Sequence, residues 1–480
     1  MRVPRPRGSA RSMRGVTATQ GLTRSRTAVA ASMCAALAVL AGPSASASLP
    51  LERTHHKATV YKVTVPHSYF GVHDRYLSSL SHRSTGSIRV WDAGTSWDSM
   101  QPSEGVPIDF SVLDNVVARA WANHTDVTFV AAMTPSWALA SPVPVGSTFA
   151  ANTYPPAVAA YAGFLKQVMA HYSDYRGSGR PGIVNYQVWN EANITTFWNG
   201  SMPQLAELVR AAYDVRRTTD TQTRIIAPAM VTRLKFEQKR IQSFYQTKVP
   251  STGRPVWAYV NAISLSMYPT VTMPTSRGGT RPSTPEDAIT LLNDVRARLK
   301  TAGVPRSLPI WDTEINYGMG SGPTTAPIPE AKQVAYVMRT YLLNAAQGVK
   351  RVNWYAYDLG TLPGGGTLGN TLLTDPDNRQ GGVLTAAGKA FTRVQTWMHG
   401  TMVGTTTKRP CIADRHGTYT CLIRYAHGVG RVYWNPYRTA KIKMVRSARH
   451  KTNEYGTTTA AHGGKRLKVT YRPILVKSKR

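Results

Sequence analysis

Between residues 69 and 400 the chain switches eight times from a short run with strand character to a longer run with a helical stripe. This alternation limits the possible folds more than any other feature. A strand followed by a helix and another strand calls for parallel pairing, because a parallel neighbour is reached only by a crossover long enough to hold a helix. The expected strands are 69–73, 87–91, 127–131, 184–189, 224–228, 262–268, 308–314 and 352–357. Eight such units can close on themselves, so the expected fold is α/β, a (β/α)8 TIM barrel spanning 69–400. Among the intervening helices, one is expected to bury Val112, Val116 and Ala120 on a single face, and two more are expected at 159–171 and 205–216. Another is headed by Ser283-Thr284-Pro285-Glu286-Asp287, which combines a capping residue, a proline in the first turn and acids at the positive helix end. Loops rich in Gly and Pro at 141–146, 271–282 and 319–329 follow the third, sixth and seventh strands, on the face where a barrel of this kind carries its chemistry.

The two ends of the chain read differently. Seven arginines and no acids between Arg2 and Arg26, an apolar run at 28–41 and Ala45-Ser46-Ala47 form the pattern of a secretory signal peptide over 1–47. The apolar run is too short to span a bilayer comfortably, and no later segment reads as transmembrane, so the expected location is extracellular, with association to a cell wall as one form of it. From about residue 401 the helical pattern stops and short alternating runs begin, such as 418–425 and 430–434, which predicts a small β-sandwich over 401–480. The segment 48–68 precedes the barrel; its alternating Thr59, Tyr61, Val63 and Val65 could lend that sandwich a strand. Cys34 falls within the leader. Cys411 and Cys421 flank a turn-rich stretch, which predicts a hairpin closed by a disulfide in an oxidising compartment. No Cys/His cluster has metal-ligand spacing and no glycine-rich nucleotide pattern occurs, so neither metal nor cofactor is inferred.

Charge is concentrated at the C-terminal end. The formal net charge is +33, and residues 408–480 carry 18 Lys or Arg against Asp414 and Glu454 alone. Such a field draws polyanions. Without a nucleic-acid-binding motif in an exported chain, the expected partner is an anionic cell-wall polymer or acidic polysaccharide rather than nucleic acid, and the alternative is a solvated basic surface that keeps the protein soluble.

One stretch concentrates the chemistry. V-N-Y-Q-V-W-N-E-A-N-I-T-T-F-W-N-G, residues 184–200, begins as a strand and stops on Asn190-Glu191, which places an amide and a carboxylate at the rim of a buried sheet, where unused polar groups are costly. The run W-N-E-A-N-x-x-x-F-W-x-G resembles the W-N-E-P-N-x-x-x-F-W-x-G signature of family 39 glycoside hydrolases, members of a large clan of barrel enzymes, with Ala192 where that family has proline. The resemblance implies a retaining glycosidase acting on a carbohydrate, with Glu191 as acid/base. Glu314, in the Thr313-Glu314 dipeptide that ends the seventh strand 123 residues later, is the implied nucleophile. Asp312 is its rival, since period-two alternation puts it on the same strand face, one layer deeper. By the same resemblance Arg89 bonds the nucleophile, Asn190 reads the sugar's 2-hydroxyl and Tyr268 lies beside Glu314. Trp354, Trp137 and Trp198 are candidate apolar platforms for sugar rings, and His73 a candidate hydroxyl partner. The family includes β-xylosidases and α-L-iduronidases, and these residues do not choose among sugars. The competing class is a non-catalytic barrel that binds a wall polymer; the joint presence of Asn190, Glu191, Glu314 and Arg89 argues against it.

Overall fold

The computed structural model describes residues 61–74, 85–180, 182–275, 278–317, 328–357, 372–374, 383–404 and 408–478. The expected leader, residues 48–60 and most of the 319–329 loop lie outside the described residues.

After a short β1 (Lys62–Val63), the chain forms β2 (Phe70–His73), β3 (Ser87–Val90), β4 (Asp126–Ala131), β5 (Asn185–Val188), β6 (Arg224–Val231) and β7 (Ala262–Ser266). A hairpin of β8 (Thr272–Pro274) and β9 (Thr280–Pro282) interrupts what reads in sequence as a plain loop, and β10 (Ile310–Ile315) and β11 (Arg351–Tyr355) follow. Strands β2 to β7 with β10 and β11 pair in parallel and close into a barrel, in the order β10-β11-β2-β3-β4-β5-β6-β7. The expected eight-stranded barrel is therefore present. Its seam is tight at Gly71, where a Cβ would meet Asn353 Nδ2 and Ser87 Oγ at 2.5 Å and the Val352 carbonyl oxygen at 2.8 Å.

The helices are α1 (Trp97–Met100), α2 (Ser111–Ala122), α3 (Val158–Gly177), α4 (Met202–Thr219), α5 (Lys235–Gln246), α6 (Pro285–Thr301), α7 (Glu330–Ala346) and α8 (Ala386–Trp397). Local chemistry sets their starts. Ser201 and Gln204 form a reciprocal capping box at α4, with the Gln204 N–H donating to Ser201 Oγ and the Ser201 N–H to Gln204 Oε1. At α6 the Thr284 N–H donates to Asp287 Oδ2 at 2.8 Å, and Pro285 stands at the first helical position. Helix α2 buries Leu113, Val116, Val117 and Ala120, whereas Val112 is 40% exposed. The i, i+4, i+8 series drifts around a 3.6-residue helix, so the core stripe follows i, i+3, i+4, i+7 from Leu113 instead.

The C-terminal region adds β12 (Thr401–Val403), β13 (Cys411–Ala413), β14 (Tyr419–Tyr425), β15 (Gly428–Trp434), β16 (Ala440–Lys443), β17 (Ala448–Thr452), β18 (Thr458–Ala460), β19 (Arg466–Val469) and β20 (Ile474–Ser478). An antiparallel sheet runs β1-β12-β14-β15-β20-β17-β18, with β13 also on β14, and the pair β16–β19 covers one of its faces. Alternation sorts the side chains. Cys421, Ile423, Val432, Trp434 and Leu475 join the core of the barrel, while their neighbours Tyr433 and Val476 pack with Met444, Leu467 and Val469 beneath β16–β19. The large sheet is thus the middle layer between barrel and outer strands. Helix α7 is consequently buried nearly all round, as a helix covered on both sides must be. At this junction Arg339 of α7 donates through Nε to Glu286 Oε1 at 2.9 Å and through Nη2 to Glu286 Oε2, and Trp434 Nε1 donates to Glu286 Oε1 at 2.7 Å. Cys411 and Cys421 face each other across β13 and β14 and form the expected disulfide. No helix among the described residues is long and apolar enough to cross a membrane.

Candidate active site

Strand β5 ends in a backbone that few side chains tolerate. Trp189 and Glu191 have φ values of +65° and +35°, in the left-handed region, at a cost of about 1–3 kcal/mol each. The surroundings hold this turn in place. The Trp189 N–H donates to the Ala131 carbonyl at 3.1 Å, and the Ala192 N–H to the Ala229 carbonyl at 2.9 Å, a bond that the family's proline would lack. Asn193 clamps the loop to β6, giving an amide proton to the Val231 carbonyl and accepting from the Val231 N–H, both at 2.8 Å. The Trp189 ring meets Trp198 edge-on at 4.9 Å and donates to the Phe197 carbonyl. With the turn fixed at five points, Glu191 is delivered to the barrel mouth.

Glu314 arrives by a different device. Register along β10 shifts between Asp312, opposite Leu265, and Glu314, opposite Ser266, which marks a β-bulge. Thr313 points inward, where its hydroxyl lies 2.7 Å from Ser264 Oγ, and Asp312 points outward, where Asn344 of α7 donates to it at 3.4 Å. The extra residue then turns Glu314 back to the interior. Asp312 therefore does not share a face with Glu314, as simple alternation has it; it is a buried acid under α7, its carboxyl pushed well up by burial.

Arg89 connects these groups. Its Nη1 donates to Glu314 Oε2 at 2.9 Å, its Nη2 to Asn190 Oδ1 at 2.7 Å and its Nε to Gln187 Oε1 at 2.8 Å, so every edge of a fully buried guanidinium is used. Tyr268 donates its hydroxyl to the other Glu314 oxygen at 2.8 Å, and burial together with the Glu314 charge holds that phenol well above its usual range. Glu191 and Glu314 are 7% and 8% exposed, enough to meet a ligand and too little to be solvated freely. Burial first, and the charge of Glu314 second, push the Glu191 carboxyl up to about 7, against the opposing pull of Arg233, Ser266 and Arg89. The two carboxyl groups thus differ in environment, Glu314 braced by donors and Glu191 pushed up by burial and by its neighbour's charge.

The barrel with its C-terminal sandwich has counterparts among solved structures. A family 39 glycoside hydrolase from Bacteroides cellulosilyticus WH2 superposes with a TM-score of 0.60 at 15% identity, covering 86% of this chain and 82% of that one. A family 39 β-xylosidase from Caulobacter crescentus gives 0.57 at 13% identity over 88% and 98% of the two chains, and a family 30 endoxylanase from Clostridium papyrosolvens C71 gives 0.51 at 11% over 88% and 98%. The fold is that of the family 39-like glycoside hydrolases. No protein-family profile and no curated protein sequence matches the chain, so the likeness is carried by shape rather than by overall sequence.

On this family 39-like barrel the remaining expected site residues fall into two groups. His73 and Arg89 are register partners on adjacent strands; His73 is buried, with Nε2 2.7 Å from Asp92 Oδ1 and its ring 4.7 Å from that of Tyr355. Trp137 is half-buried after β4, its Nε1 donating to the Gln101 carbonyl at 3.0 Å and its ring meeting Trp97 edge-on. Trp354 and Trp198 are wholly buried and cannot serve as platforms. The reason for Trp354 is register: Tyr355 pairs with His73 and so takes the inner face, which leaves Trp354, paired with Val72, on the helix side of the strand. Trp198 is consumed in bracing Trp189.

Several residues of the site escaped the sequence reading. Gln187 anchors Arg89 and is itself tied by Nε2 to Ser264 Oγ at 2.5 Å. Its signal was present, since Asn185 and Gln187 are polar at alternate positions of a buried strand. Tyr355 and Asp92, both against His73, carried no such mark.

Proposed function

We propose that this protein is a secreted, retaining glycoside hydrolase in which Glu191 is the acid/base and Glu314 the nucleophile. The observation that carries the reading is the division of environment between the two carboxyls: Arg89 and Tyr268 donate to Glu314, while burial and the Glu314 charge keep Glu191 protonated to about pH 7. A Glu314 oxygen attacks the anomeric carbon, the bond to the leaving oxygen breaks, and Glu191 transfers its proton to that oxygen. The ester so formed removes the Glu314 charge, and with it one of the two causes that raise Glu191. Glu191 then ionises more readily and takes a proton from the water that displaces the sugar. Asn190, whose Oδ1 is occupied by Arg89, keeps its amide protons for a sugar hydroxyl. The disulfide and the basic leader support export.

A panel of aryl glycosides, beginning with β-xylosides, tests the proposal. Release of the aryl alcohol with the first-formed sugar in the substrate's own anomeric form, read by proton NMR, is the expected result. No release from any member would favour the polymer-binding alternative, and an inverted product would remove Glu314 as nucleophile.

We propose in addition that the sandwich attaches the protein to an anionic polymer. On the exposed side of β16–β19, Lys441 stands opposite Lys468 and Lys443 opposite Arg466, an arrangement of like charges that costs stability unless a counter-charge arrives. Neutralising all four should release the protein from anionic wall fragments at low salt, and retention equal to that of the parent would refute this role.

A further inference from the structure

A cavity of about 540 Å³ lies at the end of the barrel opposite the two carboxylates, where Ile310 opens β10, Lys350 leads into β11 and α6 runs out. Five cations line it, Arg296, Lys300, Arg306, Lys350 and Arg409, and no carboxylate does among the described residues. None of the five takes part in an ion pair among those residues. This is unusual for a concave site, since cations drawn together in a pocket repel one another more than on an open surface.

The centre of the cavity is the tail of α7. Arg296 donates through Nη2 to the Gln347 carbonyl at 2.6 Å and through Nη1 to Gln347 Oε1 at 3.1 Å. Arg409 donates through Nη1 to the same carbonyl at 3.0 Å and to the Tyr61 hydroxyl at 2.7 Å. A helix C-terminus offers roughly half an elementary negative charge, enough to hold part of one guanidinium and far short of two. The strain registers on Arg296, whose guanidinium is pushed down to about 10 by burial and then by the charge of Arg409. Capping of α7 accounts for one arginine. The second, with three more cations around it, is left without a counter-charge.

We propose that this cavity binds a phosphate-bearing ligand, with Arg296 and Arg409 holding one phosphate group and Lys300, Arg306 and Lys350 a second. Phosphate fits because a guanidinium fork matches its oxygens and because every phosphate group, ester or free, keeps at least one full negative charge at neutral pH, so that two of them offset much of the cation excess within this volume. The ligand is either a free diphosphate-type molecule or a run of phosphates along a wall polymer. Nothing in the proposal depends on the carboxylate pair at the other end of the barrel.

Calorimetric titration of the full chain with pyrophosphate tests the site. Three variants accompany the parent: Arg296→Gln, the exposed pair Arg306→Gln with Lys350→Gln, and, as a control, Lys166→Gln with Arg217→Gln at exposed positions of α3 and α4. The expected result is one pyrophosphate per chain, weakened about tenfold or more in both cavity variants and unchanged in the control, since each cavity variant removes charged hydrogen-bond donors to the phosphates. If Arg296→Gln does not fold, the exposed pair alone decides. No binding by the parent, or equal weakening in the control, would overturn the proposal. Competition with poly(glycerol phosphate), run on the chain with Lys441, Lys443, Arg466 and Lys468 all changed to Gln so that the sandwich holds no polymer, then separates the sources. Displacement of the polymer by pyrophosphate assigns the site to polymer phosphates, whereas polymer binding that persists under saturating pyrophosphate leaves the free molecule as the ligand.

Discussion

The Glu191 carboxyl sits at about 7 because its charged form is desolvated and lies near the charge of Glu314, and both causes act only in the folded chain. An acid catalyst must be protonated, so kcat/KM should fall as pH rises through about 7, and a pH profile that stays flat well above neutrality would contradict the assignment. The same shift bears on stability. A carboxyl whose folded pKa exceeds its unfolded value stabilises the fold most below the unfolded pKa, and that contribution is lost as pH rises through about 7, so urea resistance should decline across this interval. Asp312, also raised by burial, acts with the same sign. At this scale the sequence was legible wherever a side chain's chemistry was costly without a use: Arg89, Asn190, Tyr268 and Glu314 converge in one hydrogen-bonded group, and Glu191 lies near enough to feel the Glu314 charge. It was not legible where one residue decides between two faces, as with Trp354 and Tyr355. Both are aromatic and adjacent, and only pairing with His73 shows which one looks inward.

Strands were readable as elements because each ends on turn or polar chemistry, but irregularities inside them were not. The bulge in β10 is the clearest case, since nothing in Ile310-Trp311-Asp312-Thr313-Glu314 announces the register shift that separates Asp312 from Glu314. Helix α2 shows the same limit, with a stripe shifted by one residue from Val112 to Leu113. The burial of α7 on all sides depends on a sandwich laid over it from a distant part of the chain. The barrel seam gives a test of element packing. At Gly71 an added Cβ would lie within 2.8 Å of the Val352 carbonyl, a backbone atom held by parallel pairing on either side. Gly71→Ala should therefore lose about 1–3 kcal/mol by urea unfolding. A variant as stable as the parent would mean that the strands separate more easily than this seam implies.

Barrel and sandwich share one core, joined through Glu286, Arg339 and Trp434. Glu286→Gln leaves a buried Arg339 without its counter-charge and should cost about 3–5 kcal/mol, with barrel and sandwich still unfolding in a single transition. Removing the exposed Lys235–Asp294 pair should cost about 1 kcal/mol or less, and comparable losses from the two pairs would show that the junction is not buried in solution. The proposed function gives Glu191 and Glu314, far apart in the chain, two separate duties in one site, and added azide tests this most directly. In Glu191→Ala, substrates with good leaving groups need no proton, so the enzyme should still be glycosylated and azide should release the β-glycosyl azide from a β-glycoside. In Glu314→Ala, turnover should vanish without azide, and azide should enter from the nucleophile's side to give the opposite anomer, as proton NMR of the products reports. Activity retained by Glu314→Ala without azide, or one and the same anomer from both variants, would contradict the assignment.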